Sequence, residues 1–361
     1  MNQMKLDPTR TTTLRRKFVN EMKRRFRSLD KAHRVLIVEE DAFGLSDEST
    51  LMIMQKVTAG KLDTNKLIDL EVVNRKEREV NQMLSNQERQ AWRFLSNPQK
   101  VTAYRSWLQQ QINAKVLTVD AMGKPWTATY VDSAYRKGMI RSYTESRKAE
   151  LIAQPTIFQG GQAEFLRSAF AAPVVLSKIE VVSMRAYKEL KGVTDVMSQQ
   201  LSRIIATNLA TGANPRQLAK QIHDSIGAIT RQRANTIART ETIYAHAEGQ
   251  LDSFERLNIE KVGAMAEWQT AGDERVCELC YPLEGVVMSI KEARGLIPRH
   301  PNCRCMWMPA SSKQVLKAQK RGAAKKSALA KSIDAERVKG TLAEKRAKSP
   351  WLGKTQLPAK K

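Results

Sequence analysis

All four cysteines of this 361-residue chain fall between positions 277 and 305, as Cys277-x-x-Cys280 and then His300-Pro301-Asn302-Cys303-Arg304-Cys305. Four cysteines scattered at random over such a length would very rarely share 29 positions, so the clustering has a cause. Two thiolates on one knuckle reach a single ion, and His300, Cys303 and Cys305 offer a second knuckle that completes a tetrahedral zinc site. Five candidate ligands compete for four positions. With Cys277 and Cys280 fixed, the second pair is Cys303 with Cys305, or His300 with either cysteine. Disulfides and packed free thiols are the alternatives; a reducing cytosol disfavours the first, and His300 beside the second cysteine pair favours metal.

The texture around the cluster differs from the rest of the chain. VGAMAEW at 262–268 and GVVMS at 285–289 are the best strand candidates, and they flank the turn-rich stretch that holds Cys277 and Cys280. Few long apolar runs occur between 258 and 310, so this segment needs a cross-link to hold its strands and loops together.

Upstream, the signals are helical. Thr11 to Thr13 are placed to cap a helix whose apolar residues Leu14, Phe18, Met22, Phe26 and Leu29 recur at helical spacing among many basic residues. Such a basic amphipathic helix suits a protein groove, nucleic acid or a membrane surface. Asn97 and Pro98 open another helix with a stripe of Val101, Tyr104, Leu108, Ile112 and Val116. More helix is expected over 131–150, a loop over 154–161, and long helical patterns from about 177 to Leu209. Gly212 is placed to end the last of these, and Asn214 with Pro215 to start the next. Gly227 is expected to stop that helix, with Thr230 capping another that runs to about Leu257. Two short helices about a tight turn fit an ordinary hairpin or a DNA-reading helix-turn-helix.

Charge is concentrated at the ends. Residues 1–34 hold 11 Lys/Arg against 3 Asp/Glu, and residues 311–361 hold 15 against 3, so the two ends carry +20 of the formal net charge of +24. Like charges so clustered point to a polyanion or an acidic partner. A hydrophobic share of 42% is enough for a real core. The longest apolar stretch, Ala169 to Leu176, is far short of the roughly 20 residues that span a bilayer, and the N-terminus lacks the apolar region of a secretory signal. A cytosolic product without a membrane span is the expectation.

The run Arg239-Thr240-Glu241, then Trp268, Asp273, Arg275, Cys277-x-x-Cys280, Leu283-Glu284-Gly285, Pro298, His300-Pro301-Asn302-Cys303-Arg304-Cys305 and Pro309, resembles the phage Mu protein F-like family of minor head, or head morphogenesis, proteins. The resemblance covers roughly residues 210–310. It implies a minor component of a tailed-phage head, built into the procapsid in the host cytoplasm, retained in the capsid interior of the virion, and in contact with the portal protein, the major capsid or scaffold protein, and packaged DNA. The basic arms agree, because binding DNA through them releases condensed counterions without reading sequence.

Two enzymatic readings compete. A zinc-stapled nuclease needs a metal-bound site and a general base, usually histidine, and the chain has only His33, His223, His246 and His300. Glu241 and Glu248, one face of a helix with Ile237 and Tyr244, suit acid-base work or an ion, or else pairing with an arginine such as Arg239 or Arg275. No phosphate-cradling glycine loop, G-x-S-x-G or H-E-x-x-H is present. The expected organisation is α+β and mainly helical: a basic amphipathic helical arm over 1–40, a mainly helical region over 41–195, a Mu F-like module with its Cys/His knuckle and structural zinc over 196–310, and a disordered basic tail over 311–361. The expected function is non-enzymatic head assembly; a phage zinc-containing DNA-binding protein or nuclease is the alternative.

Overall fold

The computed structural model describes residues 7–46, 91–152, 161–313 and 315. The whole of 47–90, the expected loop at 154–161 except Gly161, and nearly all of the expected basic tail lie outside these residues. The described residues are mainly helical with one small antiparallel sheet, as expected. The helices are α1 (Thr12–Arg34), α2 (Asn97–Lys115), α3 (Ala128–Lys148), α4 (Gly161–Ala171), α5 (Pro173–Thr211), α6 (Pro215–Arg256) and the single turn α7 (Ile290–Ala293). The strands are β1 (Met265–Gln269), β2 (Val287–Met288) and β3 (Met306–Ala310). The chain divides into two compact units: one takes residues up to Asn20, Val119–Leu190 and the chain from Ala234 onward, the other takes Glu21–Thr118 and Lys191–Arg233. Helices α1, α5 and α6 each contribute to both.

In the second unit the apolar stripe of α1 is satisfied inside the chain. Met22, Phe26 and Leu29 are buried, as are Tyr104, Trp107, Leu108 and Ile112 of α2 and Leu218, Ile222 and Ile226 of α6. The stripe therefore needs neither a bilayer nor an outside partner to cover it. Helix α2 is capped one residue earlier than expected: Ser96 and Gln99 form the capping box, while Asn97 donates to the carbonyl of Leu209 at 3.3 Å. His33 sits in this core with both ring nitrogens used, Nδ1 against the Leu29 carbonyl and Nε2 against the Tyr104 hydroxyl, each at 2.9 Å.

Helix α6 corrects the reading of Gly227 as a stop and of Thr230 as a cap. It runs unbroken from Pro215 to Arg256, and the Thr230 hydroxyl donates to the Ile226 carbonyl within the helix. A glycine in a helix interior costs only about 1 kcal/mol, less than the burial of Ile226 on one side and Ala234, Ile237 and Ala238 on the other contributes. Without a break there is no helix-turn-helix at this place. Gly212, with φ +66°, does end α5 in the left-handed conformation, and Pro215 does start α6.

The first unit is built around the C-terminal part of α6. The start of α1 is organised by Asp7 rather than by the threonines alone: its carboxylate accepts from the Thr11 N–H, the Thr12 hydroxyl and Arg15. Phe18 stacks on Tyr130 with ring centroids 4.6 Å apart. Helices α3 and α6 touch backbone to backbone at Gly138 and Gly249, where an added Cβ would lie 2.1 Å from the carbonyl oxygens of His246 and Tyr135 respectively. Asp252 of α6 accepts from the Tyr135 hydroxyl of α3, from Lys178 of α5 at 2.6 Å, and from Arg294 after α7 at 2.6 Å.

The sheet has the order β2-β1-β3, all antiparallel, with Ala266 opposite Met288 and Trp268 opposite Trp307. Both expected strands are present, though the second is two residues long. Strand β3 is not among the expected strands, and Pro309 lies within it; as an edge strand it tolerates the missing N–H. Its outer side is sealed by Gln250 of α6, whose amide donates to the Trp307 carbonyl at 2.6 Å and accepts from the Trp307 N–H at 3.1 Å. Trp268 is a core anchor, as expected: it is buried and meets Trp307 edge to face at 5.2 Å.

Burial of His33 and His246 gives the fold an acid sensitivity. Each is fully buried, which holds its pKa down at about 4 against an ordinary 6.5. The unfolded chain takes up a proton on each near pH 6.5, while the folded chain resists until about pH 4. Stability is therefore complete above pH 6.5 and is lost as pH falls towards 4, by about 3 kcal/mol per histidine. His33→Gln should shrink the fall in the urea midpoint between pH 7 and pH 4.5 relative to the parent; equal falls would show that His33 does not titrate differently on unfolding.

Candidate metal centre

The five candidate ligands come from two loops tied to one sheet. Cys277 and Cys280 lie between β1 and β2, and His300, Cys303 and Cys305 lie just before β3. The first loop is a tight knuckle in which the N–H groups of Cys280 and Tyr281 both donate to the Cys277 carbonyl, at 3.0 and 2.9 Å. In the second, the Cys303 N–H donates to the His300 carbonyl at 3.2 Å. Asn302 takes the left-handed conformation, φ +61°, which asparagine tolerates better than most residues.

The structure brings all five side chains together. The ligand atoms of Cys277, Cys280 and His300 lie within 4.8 Å of one another, as do those of Cys280, Cys303 and Cys305. Cys280 belongs to both groups. His300 Nε2 stands 3.0 Å from the Cys277 sulfur and 3.1 Å from the Cys280 sulfur, and the Cys280 and Cys303 sulfurs are 3.9 Å apart. None of the four cysteines is in a disulfide.

These positions fit a metal ion. Two sulfurs held about 2.3 Å from an ion at the tetrahedral angle are about 3.8 Å apart, close to the Cys280–Cys303 separation. His300 Nδ1 is 2.8 Å from the Pro301 carbonyl, which fixes the proton there and leaves Nε2 free to donate its lone pair on the sulfur side. An ion at this place would displace protons that the cluster otherwise holds. Hydrogen bonding from Cys280, with Cys305 and His300 adding to it, holds the Cys303 thiol well below the usual range against the opposing effect of burial. The same contact with Cys303, followed by that with Cys305 and by burial, pushes Cys280 up. For His300, burial lowers the pKa, but the Cys303 and Cys277 sulfurs and the Pro301 carbonyl outweigh it and raise the group to about 9.

A further set of residues positions the cluster. Asn302 connects the second knuckle to α6, its N–H donating to Thr240 at 3.2 Å and its side-chain amide to Thr236 at 3.3 Å. Arg304, between Cys303 and Cys305, makes a two-pronged bond to Asp273 at 2.7 and 2.5 Å, and Arg275 adds a third contact at 3.1 Å. These hold the Asp273 carboxyl well below the usual range. The cluster also forms part of the core, since Cys280, Cys303 and Cys305 pack with Trp268, Trp307, Leu251 and Phe254.

The other sequence candidates sit elsewhere. Glu241 is buried, but its arginine is Arg185 of α5 at 3.4 Å and neither Arg239 nor Arg275. Glu248 accepts from Arg294 and from the Gly295 N–H. His246 is buried in α6, and His33 and His223 belong to the other unit. Thr240, Asp273, Asn302 and Arg304 stand within the motifs of the sequence resemblance, but their anchoring contacts are not legible there, and Thr236 stands in none of them.

No curated protein and no solved structure matches the chain. Residues 199–308 match the model of the family described as Phage Mu protein F like protein. That range takes in the end of α5, the whole of α6, both knuckles and the sheet up to Met308, and it carries every residue of the sequence resemblance except Pro309. The match over residues 199–308 supports a phage Mu F-like head protein.

Proposed function

We propose that this protein is a minor head protein of a tailed phage, acting without catalysis in procapsid assembly at or near the portal and touching packaged DNA. The observation that carries the reading is the family match over residues 199–308. The net charge of +24 supports the contact with DNA. The metal is proposed to be zinc, held by four ligands from Cys277, Cys280, His300, Cys303 and Cys305, because cysteine and histidine in this mixture favour it. Bound there, zinc closes a structural cross-link between the loop after β1 and the loop before β3. The burial of three of the four cysteines in the core supports a staple over an open reactive centre.

Purified particles should contain a few copies of the protein, measured by quantitative mass spectrometry against the portal and major capsid proteins. Its absence from particles, with abundance in the infected cell, would overturn the minor-head reading and favour an intracellular DNA-processing role.

A further inference from the structure

The second unit carries a groove between α1 and the first half of α6 that no part of the metal centre uses. Two neighbouring cavities, about 590 and 250 Å³, line up along it and share Asp30 and His223. One end brings Lys23 beside Thr230 and Arg231, and the other brings Arg34 beside Arg216, so the two helices border the groove in opposite directions. The His223 ring and the Asp30 carboxylate meet at 2.8 Å across the middle and tie the walls together.

The walls are lined with cations. Lys23, Arg27, Lys31 and Arg34 follow one another on α1 at steps of four, four and three residues; Arg216, Lys220 and Arg231 stand on α6. Only two carboxylates, Asp30 and Glu39, line the same cavities. Six of the seven cations are exposed, Lys23 being half-buried, and none forms an ion pair among the described residues. Gly227 belongs to this arrangement: a Cβ there would lie 3.3 Å from a guanidinium nitrogen of Arg231, so the glycine leaves the arginine room to lie back along the helix. The residue that reads as a helix stop instead clears the groove.

We infer that this groove is a binding track for the phosphate backbone of duplex DNA. At 1.5 Å per residue the row on α1 extends about 16 Å and that on α6 about 22 Å. Over about 16 Å one strand of a duplex presents about five phosphates. Long, unpaired, exposed cations in two rows suit a continuous polyanion read by charge, whereas a small anion calls for a closed pocket with fixed partners. The inference rests on the DNA contact proposed above and gives it a place in the fold, separate from the basic tail.

The test uses the full chain, a fluorescent duplex of about 25 base pairs and its unrelated-sequence counterpart, with binding measured by anisotropy over a salt series. Lys31→Gln, Arg34→Gln, Arg216→Gln and Lys220→Gln combined should weaken both duplexes alike, by at least about tenfold near 0.1 M salt. The slope of log affinity against log salt should flatten by about 0.9 for each phosphate that is no longer neutralised. A matched set elsewhere, Arg167→Gln, Lys188→Gln, Lys191→Gln and Lys291→Gln, all exposed, should do much less. If the first set lowers the melting temperature, Arg27→Gln with Arg231→Gln replaces it. Equal losses for the two sets overturn the groove. So does an unchanged slope while deletion of 316–361 abolishes binding, an outcome that leaves the DNA contact standing. Failure of the parent protein to bind either duplex overturns both.

Discussion

Protein purified under reducing conditions should contain about one zinc per chain by elemental analysis, and Cys280→Ser should remove it. Cys280 is the substitution of choice because its sulfur belongs to both groups of ligand atoms, so none of the three choices of four ligands built on Cys277 and Cys280 survives without it. The loss should be large. The ligands come from two loops about 20 residues apart and lie in one core with both tryptophans of the sheet, so metal binding and the ordering of those loops are a single linked event. Limited proteolysis should then cut between 270 and 305 while α2 stays protected. With Cys277 and Cys280 fixed, His300→Ala, Cys303→Ser and Cys305→Ser made singly identify the spare candidate: the variant that keeps full zinc carries it. A metal-free reduced protein whose melting ignores chelator would rule out the staple.

Gly249→Ala should be, together with Gly138→Ala, among the most damaging single-methyl additions in the described helices. The new Cβ would lie 2.1 Å from the Tyr135 carbonyl oxygen and 2.9 Å from its carbon, and neither atom yields without moving α3. Moving it also strains the Ser142 bond to the Gln250 carbonyl and the Tyr135 bond to Asp252. Overpacking of this kind against backbone costs about 3 kcal/mol or more. At about 2–4 °C per kcal/mol for a protein of this size, the melting temperature should fall by about 6–12 °C. Gly192→Ala is the internal control. Gly192 lies inside α5 with nothing within 4 Å of an added Cβ, so there the change should be neutral or stabilising by up to about 1 kcal/mol. Similar melting of the two variants would show that α3 and α6 do not approach as described.

The metal cluster is legible in the sequence because its chemistry is carried by residue identity and spacing: few cysteines, close together, with a histidine beside them. Its supports are not. Thr236 and Thr240 are ordinary helix residues until Asn302 donates to them across more than 60 positions, and no local pattern encodes that pairing. The helices are legible from their apolar periodicity, but their ends rest on single residues. At Gly227 and Thr230 that fails, since the buried stripe on either side outweighs one weak helix former. Strand β3 is hidden for the opposite reason, because a proline that forbids a central strand is harmless at an edge. Glu241 does lie on an inward face, and its partner escapes the sequence because Arg185 reaches it from a helix more than 50 residues earlier.

The interleaving of the two units sets a schedule for synthesis. The unit that begins with the first turns of α1 also takes α3, the end of α6 and strand β3, while the ring partners of Phe18 are Trp126 and Tyr130. At ribosomal rates of about 5–20 residues per second, the interval between residue 20 and residue 130 is roughly 5–20 s, and that between residue 20 and residue 310 roughly 15–60 s. For the first interval the Phe18 end of α1 emerges without its ring partners, a natural client for a holdase chaperone. A truncated chain that stops before β3 would complete that contact and still lack the sheet.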